Sequence, residues 1–333
     1  MRVFLAGATG VIGRRLLPQL LAGGHQVTGM TRSSAKLGEL RAAGAEAVCV
    51  DAFDGESLKL AVAEARPDAV IHQLTSIPVR IDPRKIERDF AVNDRLRSEG
   101  TANLLAAARA AGVTRIIAQS VAFFYAPGPP GTVHIESDPL LSGEQAVKPA
   151  KRSAAALATL ERQVLDAGGT VLRYGYFYGP GSAISRGGST GAEVARGRLP
   201  VVGSGAGIWS FIHVDDAASA TVAALDGTSA AGGANAADAT GAIGAEDAAK
   251  PRVFNIVDDE PARVSEWIPA LADALAARSP RKVPAWLARP LAGSYGVALM
   301  TEAQGAANAL AKRELGWTPR YVSWREGFRS ALG

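Results

Sequence analysis

The sequence has little cysteine and little histidine, with one cysteine and four histidines among 333 residues. A single cysteine excludes an internal disulfide, and the histidines lack the spacing of metal ligands. Cys49 lies in the strand-like run Ala47-Val48-Cys49-Val50, which predicts a buried, small hydrophobic side chain instead of a catalytic thiol. The sequence therefore predicts a protein without metal or thiol chemistry.

Long apolar runs and clusters of like charge are also missing. No stretch reaches the roughly 18 uninterrupted apolar residues of a membrane span, and no signal segment precedes the strand-like residues that begin at Arg2. The net charge of +4 comes from scattered lysines and arginines, a pattern that does not support a nucleic-acid-binding surface. We expect a cytoplasmic protein, monomeric or homodimeric, with a small-molecule substrate and no nucleic-acid or membrane partner.

What the sequence does contain, at its beginning, is a glycine-rich turn between a strand and a helix. An apolar run ends at Ala6, and an amphipathic stretch begins at Arg14. Glycines at this spacing allow a sharp turn and a close approach of the backbone to a diphosphate, which the free N–H groups at the helix start attract. This context predicts a dinucleotide site formed by Gly7, Thr9, Gly10, Val11, Ile12 and Gly13.

Strand-like and helical patterns alternate through the first half of the sequence. The predicted strands are Val3–Ala6, Gln26–Met30, Ala47–Val50, Ala69–Gln73, Arg115–Gln119 and Thr170–Tyr174. The predicted helices are Gly13–Ala22, Ser57–Ala65, Glu99–Ala111 and Ala154–Ala167. This alternation is typical of an α/β fold with a Rossmann-type doubly wound parallel sheet, in which ligands bind beyond the carboxyl ends of the strands.

The second half of the sequence predicts a smaller C-terminal substrate lobe. Gly and Pro interrupt the pattern over Gly179–Gly207, and an Ala/Gly-rich stretch lacks the large side chains that a core needs. A short strand at Val253–Ile256 and helices over Val264–Ala277 and Thr301–Leu315 are predicted after it. The predicted division is a Rossmann domain at 1–178, joined by 211–226 and 253–257; a substrate lobe at 179–210 and 258–333; and a flexible loop or a lid at 227–252.

Six motifs, in order, resemble those of the extended short-chain dehydrogenase/reductases, also called the epimerase/dehydratase family. They are Gly7-Ala8-Thr9-Gly10-Val11-Ile12-Gly13, Asp51, Gly100-Thr101-Ala102-Asn103-Leu104-Leu105, Tyr178-Gly179-Pro180-Gly181, Phe211-Ile212-His213-Val214-Asp215-Asp216 and Leu315-Gly316-Trp317-Thr318-Pro319. The resemblance covers nearly the whole chain. It implies a nicotinamide cofactor, with Asp51 contacting the adenine.

The second predicted strand favours NADP(H) over NAD(H). A carboxylate at its end usually holds a free ribose 2′-hydroxyl, whereas this sequence has Arg32 and Ser33 there, with Lys36 nearby. A guanidinium attracts a 2′-phosphate that a carboxylate would repel. The alternative is that Arg32 is a solvated surface residue. Because ligands lie beyond the strand ends, we also place Ala52, Leu74 and Thr75 at the cofactor.

The family's proton relay is absent. The resemblance implies a Ser followed by Tyr-x-x-x-Lys, in which the Tyr transfers the proton and the Lys lowers its pKa. Counting from Ser120 and from Glu161 puts the Tyr and Lys positions on Ser153 and Leu157, and no other Tyr-x-x-x-Lys occurs in the sequence. Serine is too weak an acid near neutral pH, and leucine carries no charge. The family's Asn position falls on Arg97, with Asn93 one helical turn earlier.

Two residues remain as catalytic candidates, Ser120 and Tyr176. Ser120 matches the family's catalytic Ser, a hydrogen-bond donor to the substrate oxygen, with Gln119 as a second candidate for the same task; the alternative is a plain hydroxyl at a strand end. Tyr176 lies in a segment whose alternating tyrosines predict three phenols on one face, and it is the first choice for a replacement proton donor.

Other polar and aromatic residues have competing interpretations. Phe123, Phe124 and Tyr125 follow the fifth strand and line either a pocket or the core. A histidine is a candidate acid or base near neutral pH, but His213 is more readily explained as scaffold, and His72, in a strand, as a core histidine.

These observations together predict an NADPH-dependent ketoreductase without the usual Tyr and Lys, acting on an activated ketone, such as a polycyclic or phenolic one. The proton would come from water, a non-standard side chain or the substrate itself. Tailoring ketoreductases of polyketide antibiotic pathways resemble this pattern. The alternatives are a non-catalytic NADP-binding sensor or scaffold and a sugar-nucleotide epimerase or dehydratase; the missing Tyr counts against the latter, because those reactions begin by oxidising an alcohol and need a base.

Overall fold

The computed structural model describes residues 1–78, 85–146, 150–233 and 252–333. Its strands are β1 Arg2–Ala6, β2 Gln26–Thr31, β3 Glu46–Cys49, β4 Ala69–His72, β5 Arg115–Val121, β6 Val133–His134, β7 Thr170–Tyr174, β8 Tyr176–Tyr178, β9 Val201–Val202, β10 Ile208–Trp209, β11 Phe211–His213, β12 Arg252–Ile256, β13 Ala262–Arg263, β14 Lys282–Val283 and β15 Gly305–Ala306. Seven of these strands form one sheet in the order β12-β7-β5-β4-β1-β2-β3, and every neighbouring pair is parallel.

Helices pack on this sheet and in the C-terminal unit. They are α1 Val11–Ala22, α2 Leu37–Ala42, α3 Gly55–Ala65, α4 Ile86–Asp89, α5 Ala91–Arg95, α6 Thr101–Ala110, α7 Lys151–Asp166, α8 Ser189–Ala195, α9 Val214–Gly233, α10 Val264–Ala274, α11 Ala285–Thr301, α12 Ala309–Leu315 and α13 Trp324–Ser330. A short 3₁₀ turn at Ser34–Lys36 precedes α2, and a π-helical turn at Leu96–Gly100 joins α5 to α6.

The central sheet is apolar on both faces because helices cover both. One core cluster packs α1 and α9 against Leu5 and Ile71, and the other packs α3 and α6 against Phe4 and Val70. Adjacent residues of one strand thus enter opposite cores, as the pleat requires. The strand order reverses between β1 and β4, which places a ligand crevice at their carboxyl ends. The predicted Rossmann-type doubly wound fold is confirmed.

The C-terminal half contributes a third core and four two-stranded sheets. That core lies around Phe211, Trp267 and Trp324, all with no exposed surface. The small sheets pair β10 with β13, β11 with β8, β14 with β9, and β15 with β6. Since β6 comes from the loop after β5, the first half of the chain contacts this C-terminal unit directly.

Three sequence expectations differ from the structure. The segment Thr301–Leu315, expected to be one helix, contains the end of α11, then β15, then α12. Helix α11 itself was not predicted, because Pro290 and Gly293, which has a φ of 66°, interrupt its helical pattern. Cys49 is exposed, because it ends β3 at the edge of the sheet. The expected loop begins later than 227, since α9 continues to Gly233; residues 234–251 lie outside the described part.

Among the helices in the described ranges, none combines the length and apolarity needed to cross a bilayer.

Candidate active site

The glycine turn lies at the crevice between β1 and β4. Gly7 has φ of +92°, and a Cβ there would come within 2.5 Å of the Gln73 carbonyl oxygen; a Cβ on Gly13 would overlap the Gly7 carbonyl. Gly10 faces more open space, where a Cβ would meet only the Gly7 oxygen at 3.3 Å. Steric constraints therefore explain each glycine. Gly7 and Gly13 allow the backbone of the turn to pack closely, and Gly10 keeps the outer face of the turn open.

The start of α1 fits a diphosphate. Gly10 is its N-cap, no side chain caps the helix, and no acidic residue occupies its first turn. The first N–H groups of such a helix have no partner within it, and its dipole favours an anion there. Thr9 adds a hydroxyl that lies 3.4 Å from the Thr31 hydroxyl. The predicted residues of this turn are thus brought together as one anion cradle.

At the end of β2, Arg32 is exposed, and the described residues place no acidic partner on it. The Thr31 hydroxyl accepts a hydrogen bond from the Ser33 backbone N–H, which orders the turn in which Arg32 lies. An exposed guanidinium beside the anion cradle is available for a second phosphate. The structure is therefore compatible with the predicted role of Arg32 and Ser33, which stays a prediction.

Two further turns complete the predicted cofactor residues. Asp51 Oδ1 accepts a hydrogen bond from the Phe53 N–H, and the Ala52 carbonyl accepts one from Asn103 of α6, so the end of β3 is held against the long helix. At the end of β4, Leu74 is half-buried and Thr75 is exposed. All these residues lie at the carboxyl ends of neighbouring strands, where the crevice opens.

The positions expected for the Tyr and Lys of the relay lie on α7, and neither can perform that chemistry. Ser153 is buried and donates a hydrogen bond to Asp94 Oδ2 over 3.1 Å, while Leu157 is a core residue with 1% exposure. Burial raises the pKa of Asp94, against the opposing effects of the Ser153 hydrogen bond and the Arg97 charge. No local sequence pattern links Asp94 to Ser153, so this contact was not predicted.

Ser120, whose role as a donor to substrate stays a prediction, has a protein partner in this structure. It has 2% exposure, and its hydroxyl donates to Glu161 Oε1 over 2.5 Å. Glu161 also holds Arg173, whose Nη2 lies 2.7 Å from Oε2. A serine hydroxyl has one proton, and Ser120 uses it to donate this hydrogen bond to Glu161. Ser120 here therefore stabilises a buried carboxylate. The prediction missed this because Glu161 and Arg173 come from other elements.

Arg173 belongs to a buried hydrogen-bond network. Its guanidinium donates to Glu161, to the Tyr125 hydroxyl over 2.9 Å and to the Glu136 carbonyl. Tyr125 in turn donates to Asn255 Oδ1 over 2.6 Å. Burial alone would lower the pKa of Arg173, but the hydrogen bonds and charge of Glu161 raise it. Of the three aromatic residues after β5, Tyr125 therefore belongs to this network and not to a pocket.

Tyr176 is held in an aromatic stack. Its ring lies 4.2 Å from that of Phe123 and 3.9 Å from that of Trp209, both nearly parallel. Its hydroxyl is buried without a hydrogen-bond partner among the described residues. Burial, and secondarily Tyr295, raise its pKa well above the usual value. A phenol made less acidic is a poor proton donor.

The three alternating tyrosines do not share one face. Gly175 lies so close to Ser210 that a Cβ would overlap its carbonyl, and the chain leaves the main sheet there, so β8 pairs with β11. Tyr174 bonds Thr221 over 2.6 Å, and Tyr178 packs against Phe328 in the C-terminal core. The prediction of three phenols on one face is wrong because it assumed one continuous strand.

Both candidate histidines are structural. His72 Nδ1 accepts from the Leu74 N–H, so its Nε2 donates to the Thr101 hydroxyl over 2.9 Å. Burial lowers its pKa to about 4. His213 has 1% exposure and contacts the Asp215 N–H and the Ala331 carbonyl. The interpretation of both as scaffold is confirmed.

Near Ser153, the structure brings together polar groups that the sequence did not connect. Arg97, in the π-helical turn, is buried and close enough to Asp94 and Tyr295 to affect their pKa values. Tyr295 comes from α11 and packs on the cluster that contains Leu157. The groups so gathered are a carboxyl, a guanidinium, an alcohol and a phenol. Within the described ranges, no cluster of His, Cys, Asp and Glu is suited to a metal ion.

Comparisons with known proteins agree with this geometry. Residues 3–236 match the NAD dependent epimerase/dehydratase family. The chain is 44% identical, over 98% of its length and 99% of the relative's, to a 3-diazoavenalumate denitrifying reductase of a Streptomyces species. It is 31% identical, over 51% of its length and 46% of the relative's, to a 4-hydroxy-2-methyl-3-oxo-4-farnesyl-3,4-dihydroquinoline-1-oxide ketoreductase of Stigmatella aurantiaca.

Among solved structures, the UDP-glucose 4-epimerase of Thermus thermophilus in complex with NAD superimposes with a TM-score of 0.70 at 25% identity, covering 100% of this chain and 98% of that one. The matches support a nicotinamide-dependent oxidoreductase of reductase or epimerase type. With a family match over most of its length and a full-length relative, the chain belongs to the NAD-dependent epimerase/dehydratase family.

Proposed function

We propose that this protein is an NADPH-dependent reductase that removes a diazo group from an aromatic substrate, releasing N₂. The observation that carries the proposal is that none of the candidate residues in the described site is a competent proton donor. Ser153 and Leu157 replace the relay, Ser120 donates its proton to Glu161, and burial makes Tyr176 less acidic.

The proton balance separates the two reactions that a reductase of this kind could perform. Reduction of a ketone needs a hydride and a proton on the oxygen, so an acid in the site accelerates it. An aryl diazonium that gains a hydride becomes an arene and N₂, and both atoms and charges balance without an added proton. A site whose candidate residues supply no acid suits the second reaction. The full-length relative, a 3-diazoavenalumate denitrifying reductase, supports the same substrate class.

The residues present fit NADP(H). The open face at Gly10 and the uncapped start of α1 would hold the diphosphate, and Arg32 with Ser33 would hold the 2′-phosphate. When bound, the dihydronicotinamide supplies the hydride. The protein's own contribution is to position the substrate and exclude water, which contributes as much to rate as a general acid does.

An aromatic wall suits a planar substrate. Phe123, Tyr176 and Trp209 stack in succession beside the C-terminal unit. Such rings offer large contact areas at little entropic cost, and the partly exposed rings of Phe123 and Trp209 attract a cationic diazonium group.

A second candidate is reduction of an activated secondary-metabolite ketone, such as a polycyclic one. The Stigmatella relative, a ketoreductase, favours it. In that reaction the proton would come from water or from the substrate. Whichever of the two reactions it catalyses, we expect the enzyme to be cytoplasmic. The lack of an acid among the candidate residues ranks it second.

The test uses diazotised 3-aminobenzoate with NADPH, with the uncatalysed rate subtracted. The proposal expects one N₂, measured as isotope-labelled gas by mass spectrometry, for each NADPH oxidised, together with the arene product. A panel of aromatic ketones is run in parallel. Turnover of ketones without any enzyme-dependent N₂ would overturn the proposal in favour of the second candidate.

A further inference from the structure

Arg97 is a buried charge whose hydrogen-bonding capacity the described residues leave unused. It has 8% exposure, yet in the described part of the chain no carboxylate oxygen lies within 4.0 Å of its nitrogens, and no hydrogen bond from its guanidinium occurs. Burial lowers its pKa, and the charges of Asp94, Tyr295 and Glu161 oppose this only partly. A buried cation in such surroundings is costly unless something pairs with it.

Arg173 shows what a structural arginine looks like in the same protein. It is equally buried, at 5% exposure, but it donates to Glu161, to the Tyr125 hydroxyl and to the Glu136 carbonyl. Arg97 has no comparable set of partners among the residues that the structure describes. The contrast indicates that Arg97 is available to a partner other than the described residues of the protein.

The groups around Arg97 belong to the proposed reaction site. Asp94, one turn earlier, has one oxygen bonded to Ser153 and the other, Oδ1, buried without a partner in the described ranges. A second neighbour is Tyr295, whose pKa burial raises to about 12 and Arg97 lowers in turn. Tyr295 also influences Tyr176 in the aromatic wall. Arg97 is thus near Asp94, the partner of Ser153, and near Tyr295, which in turn is near the aromatic wall.

We propose that Arg97 binds an oxyanion of the substrate, a carboxylate or a phenolate attached to its aromatic system. This inference rests on the reductase function proposed above and names its substrate class more closely. Arginine presents five N–H donors in a planar fork that matches a carboxylate, and charge-assisted hydrogen bonds strengthen where water is excluded. The contact fixes the orientation of the ring relative to the cofactor site, which makes Arg97 a specificity-determining residue.

Asp94 does not remove the need for this partner. Its carboxyl lies beyond ion-pair distance of Arg97, although the Arg97 charge is near enough to oppose the rise in the pKa of Asp94 that burial causes. A substrate anion placed on Arg97 would supply the contact that Asp94 does not make.

The test measures binding, independently of turnover. The NADP⁺-saturated enzyme is titrated by calorimetry with trans-cinnamate and with 4-nitrophenolate, each beside a neutral analogue, cinnamamide and 4-nitroanisole. Wild-type enzyme is expected to prefer at least one anion over its analogue by about tenfold or more. Arg97→Gln should remove that preference, weakening the anion about tenfold to a hundredfold and the neutral ligand less than about threefold. Arg97→Lys should restore part of it.

The matched control is Arg109→Gln, an exposed arginine further along on α6, which should leave all affinities unchanged. Unfolding temperature and NADP⁺ affinity of each variant show whether the fold is intact. If Arg97→Gln does not fold, the wild-type preference and the Arg97→Lys variant still decide the question. A preference for cinnamate over cinnamamide identifies the bound group as a carboxylate, and a preference for 4-nitrophenolate over 4-nitroanisole identifies it as a phenolate.

Equal affinity of wild-type enzyme for anions and neutral analogues would overturn the inference, as would equal weakening of both by Arg97→Gln. The two proposals fail separately. Anion binding through Arg97 without release of N₂ would refute only the proposed function, and N₂ release unaffected by Arg97→Gln would refute only the role of Arg97.

Discussion

The Ser153 hydroxyl donates a hydrogen bond to Asp94 over 3.1 Å, and both side chains are buried. Family resemblance places a tyrosine at Ser153, where a phenol would face the substrate. Here a small hydroxyl turns instead to a carboxyl on α5. The site therefore has a different polar arrangement from the Tyr and Lys pair, and its chemistry has to work without them.

Replacing the two relay positions should have little effect on turnover. Ser153→Ala and Leu157→Ala are each expected to keep kcat within about tenfold of wild type, because neither side chain is acidic enough to move a proton at neutral pH. Leu157→Ala also empties a core position and should lower the free energy of unfolding by about 2 to 5 kcal/mol, so its rate is measured well below its unfolding temperature. A thousandfold loss in a folded Ser153→Ala would show that Ser153, with Asp94, transfers the proton.

Arg32 should decide the cofactor preference. Arg32→Ala is expected to weaken NADPH binding about ten- to a hundredfold, because a charge-assisted contact with the 2′-phosphate is lost, and to leave NADH binding unchanged. Fluorescence titration with both cofactors measures this. Arg41→Ala, an exposed arginine on α2, is the control for general charge effects. An unchanged preference in Arg32→Ala would remove this residue from the cofactor site.

Tyr176→Phe tests whether the site has a dedicated acid. The change removes a buried hydroxyl that has no described partner and keeps the stacked ring. We expect kcat within about tenfold of wild type and an unchanged or slightly higher unfolding temperature, since no hydrogen bond to a described residue is lost. Single-turnover kinetics with bound cofactor and substrate provide the rate. Abolished reduction with intact binding would mean that Tyr176 is the proton donor and that the site is not acid-poor.

The parts of the fold that the sequence predicted are those that local patterns determine. The glycine turn was predicted because Gly7, Gly10 and Gly13 are close in sequence and the backbone geometry of the turn favours glycine at each position. The first strands were predicted because buried parallel strands are continuous apolar runs. Cys49 was misplaced since such a run does not say whether its strand is central or at the edge.

The site chemistry was harder to predict because it depends on contacts between distant elements. Ser153 and Asp94 are 59 residues apart, and Ser120 and Glu161 are 41 apart. No sequence pattern specifies which hydroxyl meets which carboxylate. The proximity of Tyr295 to Arg97 depends on how α11 packs over α7. A signal was nevertheless present, since an arginine at the position of the family's asparagine is unexpected in a buried turn.

Acid should destabilise the fold through His72. Burial lowers its pKa from the usual 6.5 to about 4, so between these values the unfolded chain binds a proton that the folded protein does not. The stabilisation is complete above pH 6.5 and is lost as the pH falls towards 4, by about 3 kcal/mol in total. Urea unfolding of wild type and of His72→Gln between these two pH values measures the free energy of unfolding of each protein. Other groups titrate in both proteins, so the difference between the two curves, not either slope alone, reports on His72. We expect the difference in the free energy of unfolding between wild type and His72→Gln to narrow as the pH falls, because glutamine carries no titrating group. A difference that is constant with pH would show that His72 is protonated equally in the folded and unfolded states.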